Sequence, residues 1–72
     1  MPVEIELSGQ LQEGKPRKQI MHLERPVSVQ TVVEILGLDP DDIGLIAIIG
    51  IQSELEDIVP TDCRLAFFPP LS

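Results

Sequence analysis

Period two opens the chain. Val3, Ile5 and Leu7 alternate with Glu4 and Glu6, the pattern of a half-buried strand with its acidic side in solvent. Ser8-Gly9 ends it, and Glu13-Gly14-Lys15-Pro16 is a loop, because Gly and Pro both break regular structure. Lys18 to Glu24 reads as a second strand, with Met21 and Leu23 toward the core and Ile20 and His22 on the other side. The two strands form a hairpin with a connection longer than a tight turn. Pro26 then stops the ladder, since it lacks an N–H.

The period changes after Pro26. Val29, Val32, Val33 and Leu36 fall at i, i+3, i+4 and i+7 and make one apolar stripe. Ser28 before them can accept an orphan N–H, and Gly37 stands where a left-handed residue closes a helix. The spacing predicts a helix over Val29–Leu36, short and β-branched, which must draw its stability from packing on a sheet. Leu38 to Asp42 is a turn, with a short helical turn after Pro40. Leu45 to Ile49 is a continuous apolar run that reads as a central strand. Ile51 to Leu55 is a short edge strand, Val59 to Asp62 a turn, and Arg64 to Phe68 the last strand, ended by Pro69-Pro70. A hairpin, one helix and further strands define an α+β two-layer sandwich. The helical crossover sets the first and last strands side by side at the sheet centre, which is the β-grasp, or ubiquitin-like, arrangement.

Composition narrows the function. The 72 residues form one domain, 1–72, with a short tail over 69–72. They are 43% hydrophobic and 24% charged, a globular balance with material for one small core. Twelve acidic side chains against five basic ones leave a net charge of −7. That excludes nucleic acid, whose phosphates need clustered Lys and Arg, and anionic membrane surfaces. The first residues are acidic rather than basic, unlike a signal peptide. The longest uncharged stretch, Ile43 to Ser53, is too short to span a bilayer. A cytoplasmic protein is expected, and the single cysteine fits a reducing compartment.

Candidate chemistry is sparse. One His and one Cys cannot build a common metal site, and the acidic runs Asp39 to Asp42 and Glu54 to Asp57 lack the spacing of a calcium loop. Cys63 has Arg64 on one side and Asp62 on the other, so nothing marks it as an activated thiol. His22 reads as a surface residue beside Glu24, with no nucleophile to serve as a base. Four of the five bases lie between Lys15 and Arg25, and seven acids between Asp39 and Asp62. Such a distribution suits a solvated surface or steering toward a basic partner. No catalytic residue and no cofactor are expected.

The most specific stretch is the last one. Leu65-Ala66-Phe67-Phe68-Pro69-Pro70-Leu71-Ser72, preceded by the polar turn Asp62-Cys63, resembles the C-terminal strand of the MoaD/ThiS family. These are the molybdopterin synthase small subunit and the related ubiquitin-like sulfur carriers. Val27 to Val32 at the helix start and Leu36-Gly37-Leu38 at its end are similar too. The resemblance implies a carrier whose C-terminal carboxylate is adenylated by an ubiquitin-activating-type adenylyltransferase and converted to a thiocarboxylate. The tail then docks into a larger synthase-type subunit. In one branch this serves molybdenum or tungsten cofactor formation, in the ThiS branch thiamine thiazole synthesis. Partner-binding residues are then Ala66, Phe68, Pro69, Pro70, Leu71 and Ser72. Ile48, together with Ile46 and Ile20, extends the same apolar patch, because both faces of the central strand look hydrophobic. The family pattern differs here in three places. It continues into Gly-Gly where this sequence has Ser72 as its last residue, it has Asn-Gly where Ile49-Gly50 stand, and it has Asp-Gly-Asp where Thr61-Asp62-Cys63 stand. A carrier whose diglycine lies beyond Ser72 and a β-grasp docking module that binds a larger metabolic or redox enzyme without sulfur transfer both fit.

Overall fold

The computed structural model describes residues 1–60 and 62–71. Five strands form one sheet: β1 (Pro2–Leu7), β2 (Lys18–His22), β3 (Leu45–Ile48), β4 (Ile51–Ser53) and β5 (Arg64–Phe68). One helix, α1 (Val29–Leu36), follows β2, and single 3-10 turns lie at Gly9–Gln12 and Pro40–Asp42. The sheet order is β2-β1-β5-β3-β4. β1 and β5 pair in parallel, and the other neighbours are antiparallel. The C-terminal strand is thus the centre of the sheet, flanked by β1 and β3.

Alternation in β1 works as the pattern predicts. Val3, Ile5 and Leu7 are fully buried and meet Leu65 and Phe67 of β5 and Val29, Val32 and Val33 of α1 in one core. Met21 and Leu23 join the same side. The Gly9–Gln12 turn is not visible in the pattern, yet it places Leu11 in the core. A lone apolar residue in a polar stretch has no period to betray it.

The helix ends account for their backbone groups. At the start, the N–H of Val29 donates to Asp57 O at 2.9 Å and that of Gln30 to Leu55 O at 2.9 Å. The N–H of Thr31 reaches Ser28 Oγ at 3.3 Å. Three of the four orphan donors of a helix start are met in this way. The loop before β5 supplies two of the acceptors and so ties helix to sheet. At the end, Gly37 takes φ 72°. Its N–H donates to Glu34 O at 3.1 Å and that of Leu38 to Val33 O at 3.1 Å, a Schellman closure.

The expected β3 strand is one residue shorter than its apolar run. Ile48 pairs with Ile51, and Ile49 and Gly50 between them have φ 51° and 78°. Positive φ at both central residues is a type I′ hairpin turn, which favours Asn-Gly. Ile49 is β-branched, so the left-handed backbone costs about 1–2 kcal/mol. At 63% exposure its side chain recovers little of that by burial. Ile49→Asn should therefore stabilise the fold by about 1 kcal/mol and raise Tm by roughly 4–8 °C. An unchanged or lower Tm on thermal circular dichroism would show that Ile49 is not strained in solution.

Candidate docking face and tail

The helix covers one side of the sheet. Among the described residues, no element covers the other. Cross-strand register divides this open face into four rows, of which Pro2 and His22 form the outermost, at the start of β1, and the other three lie beyond it. Ile20, Glu4 and Arg64 form the first of these three, and it continues to Ile49, whose N–H donates to Arg64 O at 2.9 Å. Lys18, Glu6, Ala66, Ala47 and Gln52 form the second. Phe68 and Leu45 form the third, at the end where the tail departs.

Phe68 and Ala66 therefore lie where the sequence places them, half-buried on the open face, while Leu65 and Phe67 are sealed beneath. Ile46 and Ile48 do not. They are in register with Phe67 and Leu65 and lie on the helix side, Ile46 buried and Ile48 packed against the core. Ile48 does not extend the open patch, and Leu45 and Ala47 occupy that place instead. In a run apolar at every position, parity is set by pairing with β5 rather than by any periodic signal. Ile20 is on the open face and 63% exposed, but at the far end from Phe68. It lines a shallow groove with Pro2, Glu4, Ile49 and Arg64.

The tail forms the second part of the site. Pro69 is half-buried, and Pro70 and Leu71 are exposed. With Gly44, Leu45 and Phe68 these residues border an apolar groove of about 480 Å³. Two prolines in succession hold the segment extended. Ser72 lies outside the described residues.

Electrostatics on the open face are mild. Arg64 Nε lies 3.7 Å from Glu4 Oε2, an exposed ion pair that adds little stability. No ion pair joins His22 to Glu24 among the described residues. Cys63 is buried, and its thiol donates to Pro60 O at 3.2 Å. Burial pushes its pKa up, a backbone hydrogen bond offsets part of that, and Asp62 adds a lesser rise. It is thus held away from the thiolate form. No cluster of His, Cys, Asp and Glu able to hold a metal occurs among the described residues. No helix among them is long and apolar enough to cross a membrane.

No protein-family model and no curated protein matches the sequence. Solved structures do match the fold. Molybdopterin converting factor subunit 1 of Pyrococcus furiosus aligns over 99% of each chain with 16% identity and a TM-score of 0.78. Small archaeal modifier protein 1 of Haloferax volcanii aligns over 97% of this chain and 98% of its own, with 21% identity and a TM-score of 0.77. The Haloferax volcanii HVO 2177 protein aligns over all of this chain and 85% of its own, with 15% identity and a TM-score of 0.79. The chain thus has the ubiquitin-like β-grasp fold, which it shares with molybdopterin converting factor subunit 1 and small archaeal modifier protein 1.

Proposed function

We propose that the protein is a sulfur-carrier-like small subunit of the MoaD type, serving molybdenum or tungsten cofactor formation. It docks through its open sheet face and C-terminal tail. One observation carries this reading. The central strand β5 runs out through Phe68 into a stiff Pro69-Pro70 segment, beside an apolar groove and past the uncovered end of the sheet. A body that anchors the tail at its central strand can present the chain end to a partner's site with little loss of conformational entropy on binding. The apolar row of half-buried Phe68 and exposed Leu45 supplies the contact next to it.

On this reading the chain is not a catalyst alone. An ubiquitin-activating-type adenylyltransferase activates the C-terminal carboxylate, and a larger synthase-type subunit receives the tail. The thiazole branch would use the same machinery. A second reading, a protein modifier, draws on the name of the Haloferax volcanii neighbour. There the activated carboxylate would pass to an amine of a target protein. A third is a docking module that transfers nothing.

Intact mass separates these readings. Native protein isolated from sulfur-replete cells that contain the adenylyltransferase is expected to carry sulfur in place of one carboxylate oxygen at its C-terminus. Chains joined to lysines of other proteins would favour the modifier. A plain carboxylate throughout would sink the carrier and leave the docking module.

A further inference from the structure

We infer that Gly44 is a positioning residue for the tail. With Gly9 it forms a collar without side chains that sets the direction in which the chain leaves the sheet. Gly44 immediately precedes β3, and its N–H donates to Phe68 O at 2.8 Å. A Cβ there would fall 2.4 Å from Pro70 Cα, 2.7 Å from Pro70 N and 2.9 Å from the carbonyl carbon of Pro69. All three are backbone atoms, so no rotamer change relieves the clash. On the other flank, a Cβ on Gly9 would fall 2.9 Å from Pro69 Cγ. Beside it, the N–H of Ser8 donates to Phe67 O at 3.2 Å. The tail is thus hydrogen-bonded at its root on both sides and pressed against two Cα positions.

The two glycines differ in kind. Gly9 has φ 58°, so its own backbone also favours glycine. Gly44 lies outside the left-handed region, where alanine is sterically acceptable. Only the tail forbids a side chain there. An alanine would push Pro70 outward by about 1 Å to reach ordinary contact. Pro69 and Pro70 have fixed φ and cannot absorb the shift locally, so it passes to Leu71.

The consequence for activity rests on the carrier reading. A tail that enters a partner's site is sensitive to such a shift, since a misplacement of about 1 Å can cost about 100-fold in rate. The strand register of the open face is untouched, so the share of docking that rests on the sheet is preserved.

The test uses the full chain as wild type, Gly44→Ala, Pro70→Gly and the double variant. ATP–pyrophosphate exchange is measured with the source organism's ubiquitin-activating-type adenylyltransferase, and tail geometry by the NMR contact between the Gly44 and Pro70 Hα protons in the native chain and by the Leu71 amide resonance in Gly44→Ala. In Gly44→Ala, kcat is expected to fall about 10–100-fold with KM little changed. In Gly44→Ala the Leu71 amide resonance should shift, because the displacement passes to Leu71, and Tm should be nearly kept. Pro70→Gly frees φ, so the double variant should recover most of kcat. An unchanged kcat, a loss carried by KM alone, or no recovery in the double variant would overturn the assignment. If wild type supports no exchange, the carrier reading falls and the NMR readouts alone decide the collar. An Hα contact present in the native chain and a Leu71 amide that shifts in Gly44→Ala uphold the collar, and absence of that contact from the native chain or an unmoved Leu71 amide refutes it.

Discussion

Phe67→Ala should leave the protein largely unfolded at temperatures where the wild type is intact. Phe67 is the largest of the fully buried side chains. It sits on the central strand, opposite Leu7 of β1 and Ile46 of β3. Truncating a buried Phe removes its transfer energy and leaves a cavity, for a loss of about 3–5 kcal/mol. A domain of this size has a total stability of only about 4–11 kcal/mol, so the change consumes much or all of it. Tm should drop by more than about 12 °C. The chain has no Trp or Tyr, so urea titrations are best followed by far-ultraviolet circular dichroism. A loss below about 1 kcal/mol would mean that the β5 packing is wrong.

Phe68→Asp, one residue on, should do the reverse. Phe68 is half-buried on the open face with Leu45 as its cross-strand neighbour. An aspartate there can turn its carboxylate to water, so the fold should lose no more than about 1–2 kcal/mol. Binding to a larger synthase-type subunit should weaken by at least about 2 kcal/mol, roughly thirty-fold in Kd. An aromatic anchor is lost and a charge must be desolvated in its place. Calorimetric titration of the folded variant reads this directly. Undiminished binding would remove Phe68 from the interface, and an unfolded variant would return it to the core. Adjacent phenylalanines with opposite outcomes are the consequence of strand alternation.

Much of the fold is legible because short-range signals agree with one another. The β1 alternation, the valine stripe of α1 and its caps at Ser28 and Gly37 each report a local geometry that the structure repeats. The open-face position of Phe68 follows from the same alternation, given that Leu65 and Phe67 face the helix. The site is less legible. Leu45 is as apolar as Ile46 and Ile48, and nothing in the run tells which of them reaches the open face. Ile49 looks like the last residue of a strand, because its hydrophobicity outweighs the turn signal of a single following glycine.

What the sequence determines by itself is therefore whatever depends on neighbours within one or two turns: element type, caps, the parity of β1 and β5, and the stiff Pro69-Pro70 exit. What only the tertiary structure decides depends on which strands meet. Register with β5 sends Ile48 to the core side and Leu45 to the open face. The same pairing brings Gly44 against Pro70 and Gly9 against Pro69, contacts between segments far apart in the chain. A glycine carries no periodic signal, and its missing Cβ acquires meaning only when another backbone occupies that space.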